Sequence, residues 1–146
     1  MTCTVTNAPC LDFTSSNVTL ELNGFSLTGQ ADAQTGCGGS NATGPEQGIR
    51  ILNQTGVKIH GPGVVQRFRS HGILINASTN NTIMGVTTAT NCNSGILVGG
   101  DSNLIEANIS IANGNGGLPA AVYDWQAQAI TGSVRTGSVE MGTRLS

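Results

Sequence analysis

Apolar and polar residues alternate in short runs along this chain, and the runs recur about every 23 residues. Three of the runs begin with a glycine, and these residues, Gly48, Gly72 and Gly95, lie 24 and 23 residues apart. A second apolar run follows each of them after a short polar turn, and an earlier copy begins at Cys10. Such a period predicts a solenoid, because each coil buries its apolar face only against the next coil.

Alignment of the copies predicts three short strands in each coil and about four coils in all. The first strand column holds residues 10–13, 48–51, 72–75 and 95–98. The second column holds 18–22, 57–61, 81–85 and 103–107, and the third, which is less regular, holds 25–28, 64–68, 86–90 and 109–112. We therefore predict an all-β fold, a parallel β-helix of about four coils.

The repeat also predicts the domain organisation. Residues 1–118 are expected to form the β-helix, with a loop insertion at about 30–46 that is rich in Gly, Ser, Asn and Ala. Residues 119–146 depart from the pattern and are expected to form a C-terminal cap or tail. Within them, the stretch from Pro119 to Ile130 suits a short helix that covers the last coil with a buried Trp125.

Because side chains alternate between the two faces of a strand, the alignment assigns faces as well as strands. Three inward stacks are predicted: Leu20, Ile59, Ile83 and Ile105; Leu11, Ile49, Ile73 and Ile96; and Phe13, Ile51, Ile75 and Val98. The same register places Asp12 beside Arg50, and Glu21 beside His60, on the outside of neighbouring coils. Opposite charges in register support the alignment independently of the apolar pattern.

The composition fits this architecture, with 21 Gly, 14 Asn and 17 Thr and only 10% charged residues. Asn suits tight turns, and Asn81 and Asn103 align at one turn, where their amides are expected to form a ladder. A net charge of −2 gives no reason to expect nucleic acid as a partner. We also expect no membrane span, because no apolar stretch approaches about 20 residues, and no signal peptide, because Met1 to Val5 has neither a basic n-region nor an apolar h-region.

Four cysteines and two histidines form no metal-binding pattern in the sequence. No two cysteines have the CxxC spacing and the histidines fall in different coils, so we expect no metal site and no cofactor. A disulfide between Cys10 and Cys37 is one interpretation if the protein is exported, and buried or idle thiols are the other. Cys92 is expected to be an idle thiol in a turn.

The cations are concentrated within one coil, and six of them are candidate ligand-binding residues: Arg50, Lys58, His60, Arg67, Arg69 and His71. Arg67, Arg69 and His71 share one side if the strand continues through them. Such a belt suits an acidic oligosaccharide, because guanidinium groups bind carboxylates in a bidentate manner. The alternative is that Arg50 and His60 pair with Asp12 and Glu21 and that the other cations are solvated.

Residues 10–117 resemble right-handed parallel β-helix proteins of the pectate-lyase-like superfamily. The resemblance rests on the runs Asn17 to Gly29, Ser70 to Ile75 and Asn80 to Ile83. It implies a right-handed coil and a secreted or cell-surface protein. Enzymes of this superfamily use acidic calcium clusters or several aspartates, and here Ser70-His71-Gly72 and Arg50-Ile51-Leu52 only partly match their motifs. The carboxylate pair that glycoside hydrolysis needs is not evident, so the sequence favours a protein without enzymatic activity.

Three functional interpretations follow from the sequence. The first is a carbohydrate-binding or surface-recognition module without a complete catalytic set. The second is a lyase or glycoside hydrolase whose site is completed by oligomerisation, and the third is a non-catalytic fragment of a larger β-helix protein. The exposed ends of a short solenoid also predict a homodimer or another homo-oligomer, formed through those ends or through the C-terminal segment.

Overall fold

The computed structural model describes residues 1–31, 37 and 44–114, together with the backbone of 133–135. Every regular element in these residues is a strand. The strands are β1 (Leu11–Phe13), β2 (Thr19–Glu21), β3 (Ser26–Thr28), β4 (Ile49–Leu52), β5 (Lys58–Gln66), β6 (Ile73–Asn76), β7 (Thr82–Ala89), β8 (Ile96–Val98), β9 (Leu104–Glu106), β10 (Ile109–Ile111) and β11 (Ser133–Arg135). No helix in this part of the chain has the length and apolar character needed to cross a bilayer.

The strands stack into two sheets that run the length of the solenoid. The narrow sheet has the order β1-β4-β6-β8, and its pairs are all parallel. The broad sheet has the order β11-β9-β7-β5-β2, with β3 also on β5 and β10 also on β7. Its pairs are parallel except for β11, which runs antiparallel to β9. The predicted all-β parallel β-helix is confirmed, with coils 1 to 4 beginning at β1, β4, β6 and β8.

The register of the coils is the predicted one. Leu20 pairs with Ile59, Ile59 with Ile83, and Ile83 with Ile105, all in parallel strands. Ile59 and Ile83 are fully buried, whereas Leu20 in the first coil is half-buried. Each fully buried aliphatic side chain contributes on the order of 1.5–3 kcal/mol, so the stacks supply the main stabilising term of the fold.

Glycine recurs at the start of the narrow-sheet strands because the neighbouring coil leaves no room for a Cβ atom. A Cβ on Gly72 would lie 2.6 Å from the side-chain Nδ2 of Asn91 and 2.6 Å from the backbone carbonyl oxygen of Gly95. On Gly48 it would lie 2.5 Å from the carbonyl oxygen of Gly72. Gly48 and Gly72, which directly precede β4 and β6, are therefore required by the packing around them.

Asparagine side chains link the turns of successive coils. Asn81 Oδ1 accepts the backbone N–H of Val57 at 2.8 Å, and Asn103 Oδ1 accepts the backbone and side-chain N–H groups of Asn81, each at 3.0 Å. This confirms the predicted ladder. Asn91 and Asn113 form a second ladder, which was not predicted, with two bonds of 2.9 Å. Both ladders satisfy buried backbone donors that the turns leave unpaired.

The cysteine predictions were wrong. Cys3 is bonded to Cys10, and Cys37 is bonded to Cys92, so Cys10–Cys37 does not form and Cys92 is not an idle thiol. Cys92 is fully buried in a small cluster with Ala31 and Cys37, beside the main core. Cys37 lies 55 residues from Cys92 in the sequence, and the packing of the insertion, which periodicity does not encode, decides that pairing.

Residues 1–3 cover one edge of the first coil. Thr2 forms a parallel bridge with Thr28, and the backbone N–H of Cys3 donates to the carbonyl oxygen of Thr28 at 2.8 Å. Most of the predicted loop at 30–46, the predicted helix from Pro119 to Ile130 and Trp125 lie outside the described residues.

Candidate functional site

The six predicted ligand-binding cations are divided between the two sheets and the segment that joins them. Arg50 lies on β4 of the narrow sheet, whereas Lys58 and His60 lie on β5 of the broad sheet. Arg67, Arg69 and His71 follow β5, which ends at Gln66. The prediction that these three residues share one side required a continuous strand. Arg67 has a φ of 60°, which interrupts the extended backbone, so the strand does not continue through them.

Arg50 forms the predicted pair with Asp12 on the preceding coil. Its Nε and Nη2 donate to the two carboxylate oxygens of Asp12 at 3.0 and 2.6 Å. The hydrogen bonds from Arg50 lower the pKa of the Asp12 carboxyl below its ordinary value. The guanidinium is thus engaged in a bidentate bond within the chain, and a ligand would have to displace Asp12 to reach the same donors.

The two arginines after β5 also have partners within the chain. Arg67 Nε donates to the carbonyl oxygen of Ala31 at 2.9 Å, although the residue as a whole is exposed. Arg69 Nη1 lies 3.4 Å from Glu46 Oε2 in an ion pair. These contacts hold the two guanidinium groups beside Ala31 and Glu46, and the carboxylate of Glu46 reduces the local positive charge.

His71 and Lys58 differ sharply in their surroundings. His71 is half-buried, and its Nδ1 accepts the backbone N–H of Ser94 at 3.3 Å. Burial lowers the pKa of His71 to about 4, so the ring is neutral at pH 7 and adds no positive charge to the surface. Lys58 is exposed on the outer face of the broad sheet, in register with Thr19 and Thr82.

His60 forms the predicted pair with Glu21. Its Nδ1 lies 2.8 Å from Glu21 Oε1, and the two side chains are 33% and 48% exposed. Since an ionised carboxylate only accepts hydrogen bonds, the proton in this bond belongs to His60 Nδ1. In the neutral ring, the lone pair of Nε2 then remains for another partner.

The column that contains this pair continues through two further coils. His60 is in register with Met84, and Met84 with Glu106. We name Glu21, His60, Met84 and Glu106 the broad-sheet column. Met84 is 39% exposed, so its thioether is open to solvent on the outer face of the sheet. Met84 and Glu106 were missed in the sequence analysis, although they occupy the same position of the second strand column as Glu21 and His60.

The described residues contain no group of three or more His, Cys, Asp or Glu side chains arranged to hold a metal ion. All four cysteines are oxidised, so none of them offers a thiolate. The outward-facing donors that remain in the broad-sheet column are an imidazole, a thioether and carboxylates.

Comparison with known proteins gives one match. The model of the NosD family, described as "Periplasmic copper-binding protein (NosD)", matches residues 9–142. No curated protein and no solved structure matches the chain. The match agrees with a β-helix repeat, and the pectate-lyase-like assignment remains a prediction. Because the match covers most of the chain, this protein belongs to the NosD family.

Proposed function

We propose that this protein is an exported copper-binding β-helix. Two features support the proposal, the family description and the two disulfides. Disulfides persist in oxidising compartments such as the bacterial periplasm and are rare in the cytosol. On this proposal, copper is a bound cargo and the β-helix is the scaffold that holds it.

The donor set fits copper better than zinc. With all four cysteines oxidised, a copper site here has to use imidazole, thioether or carboxylate groups. Imidazole and carboxylate groups bind zinc as well as copper, so the preference for copper rests on the thioether, which favours Cu(I). The observation that carries the proposal is His60, which faces outward with its Nδ1 fixed by Glu21.

A metal titration of the disulfide-intact protein tests the proposal. We expect about one copper ion per chain to remain bound after gel filtration, and no comparable retention of zinc. Ascorbate is the reductant for Cu(I), because a thiol reductant would open the disulfides and create new ligands. Copper that is lost completely on gel filtration in both oxidation states would contradict the proposal.

An acidic oligosaccharide is a second candidate ligand. It is supported by Lys58 and Arg67, whose side chains are exposed on the broad sheet and beside it. Calorimetry with uronate and sulfated oligosaccharides should then show weak binding that salt weakens further. Changing Lys58 and Arg67 together to Ala should abolish the heat without unfolding the protein. No heat from a broad panel would remove this candidate.

We further propose that two copies associate through open strand edges. Within the described part of the chain, β1 and β2 each pair with a neighbouring strand on one side only. Such edges favour pairing with another chain. Light scattering should show a mass near twice that of the chain at high concentration. A monomer at every concentration would contradict the association and leave the copper proposal intact.

A further inference from the structure

We propose that His60 and Met84 are the copper ligands and that Glu21 positions His60 for this role. The inference rests on the proposed copper-binding function and assigns it to specific side chains. His60 and Met84 are in register on adjacent parallel strands, β5 and β7. Neighbouring strands lie about 4.8 Å apart, so the imidazole and the thioether extend from the same face within reach of one ion.

The local backbone leaves this pair accessible. The next residues along the two strands are Gly61 and Gly85, which have no side chains to cover it. The register of β5 and β7 shifts after His60 and Met84 and resumes at Gly63 and Val86, so the pair lies directly beside an irregularity in the sheet. Bulges of this kind redirect side chains and often lie next to functional sites. The pair therefore lies on the exposed outer face of the broad sheet, beside this irregularity.

Glu21 acts through His60 and is a positioning residue in this proposal. The 2.8 Å contact of its Oε1 with His60 Nδ1 fixes the ring orientation and leaves Nε2 to face a metal ion. A carboxylate that holds the second nitrogen of a metal-binding histidine is a recurrent feature of protein metal sites, and its loss costs about 10- to 100-fold in affinity.

The ligand types predict the oxidation state. One imidazole and one soft thioether favour Cu(I), since methionine sulfur prefers soft ions and carboxylates prefer harder ones. Glu106 follows Met84 in the column but lies two coils from His60, about 9.6 Å along the strand-stacking direction. We therefore assign Cu(I) to His60 and Met84 and leave Glu106 outside the pair of ligands.

Competition with a chromophoric Cu(I) chelator, in ascorbate and without oxygen, tests the assignment. We expect His60→Gln and Met84→Leu each to weaken Cu(I) binding by at least about 10-fold, and Glu21→Gln by about 10- to 100-fold. His71→Gln is the matched control, because it removes the other histidine and should change the affinity less than about 2-fold. Circular dichroism establishes that each variant is folded, and Met84→Leu preserves the volume of the side chain.

The outcomes separate this inference from the proposed function. If the wild-type protein binds no copper, the proposed function fails and the assignment fails with it. If the wild type binds copper and both His60→Gln and Met84→Leu bind it equally well, the assignment alone is overturned. If Glu21→Gln matches the wild type while His60→Gln and Met84→Leu do not, the ligands stand and the positioning role of Glu21 is rejected.

Discussion

Two outward-facing columns run across the four coils, one on each sheet, and they begin alike. On the narrow sheet, the column consists of Asp12, Arg50, Leu74 and Leu97. On the broad sheet it consists of Glu21, His60, Met84 and Glu106. In both, a carboxylate on the first coil pairs with a basic residue on the second. The two pairs have the same register, and they differ in the basic residue, which is an arginine on the narrow sheet and a histidine on the broad sheet.

The narrow-sheet pair is closed, whereas the broad-sheet pair is open. Arg50 donates two hydrogen bonds to Asp12 and has no lone pair with which to bind a metal ion. The residues that continue its column are leucines. His60 uses one ring nitrogen for Glu21 and retains the other, and the next residue in its column is a thioether. One solenoid thus carries an ion pair whose donors are satisfied within the chain and a His–Glu hydrogen bond that leaves one ring nitrogen unused.

The largest effect is expected from the interior stack on which both columns depend. Replacing the fully buried Ile83 with Ala should lower the free energy of unfolding by about 2–5 kcal/mol, because it leaves a cavity between coils. Met84→Leu on the same strand is the control and should change it by less than about 0.5 kcal/mol. Denaturant melts measure both. A loss below about 1 kcal/mol for Ile83→Ala would show that the outer columns do not share one rigid core.

The disulfide between Cys37 and Cys92 provides a smaller test away from both columns. Changing both residues to Ala should lower the free energy of unfolding by about 2–4 kcal/mol, because the unfolded chain loses a long covalent loop. Cu(I) affinity should change less than about 2-fold, since the broad-sheet column contains no cysteine. If the Cu(I) affinity instead falls together with the stability, the broad-sheet column depends on the Cys37–Cys92 disulfide and is not an independent site.

The pH dependence of stability should report His71. Its pKa is about 4 in the folded protein and 6.5 in the ordinary state, so the unfolded chain binds more protons between these values. Stability is therefore complete above about pH 6.5, falls as the pH drops toward 4 and then levels off for this group. His71→Gln should remove this part of the slope in melts from pH 7 to 4. An unchanged slope would contradict the buried, neutral ring.

The smallest effect is expected from the closed pair itself. A double-mutant cycle with Asp12→Ala and Arg50→Ala should give a coupling of about 0.2–1 kcal/mol, because both side chains are partly exposed. The lowered pKa of Asp12 means that the coupling is present at neutral pH and is lost as the pH falls through that pKa. A coupling above about 2 kcal/mol would show that this pair is more than a surface contact.

The sequence was sufficient for the fold because each coil repeats the same constraint. Alternation and period fixed the pairing of Ile59 with Ile83, and charge complementarity independently fixed that of Asp12 with Arg50. The disulfides could not be predicted in this way. The partner of Cys37 depends on how a non-repeating insertion packs, and periodicity contains no information about that.

The broad-sheet column shows a different limit of sequence reasoning. The alignment already placed Met84 in line with His60, yet a methionine in an apolar strand is ordinarily read as core. Its 39% exposure in the structure shows that it faces outward. Likewise, alternation alone suggested a common side for Arg67 and His71, whereas the end of β5 at Gln66 and the burial of His71 were not apparent from the pattern.

The most direct test compares Met84 on the broad sheet with Leu74 on the narrow sheet, both in the third coil, in one measurement. Methyl NMR spectra of protein labelled at Met and Leu should be recorded with and without one equivalent of Cu(I), with Met84→Leu and Leu74→Met used for assignment. We predict that the Met84 methyl signal shifts on Cu(I) binding while the Leu74 methyl signals do not. If Cu(I) binding shifts the Leu74 methyl signals and leaves the Met84 methyl signal unchanged, the assignment of Cu(I) to the broad-sheet column is contradicted.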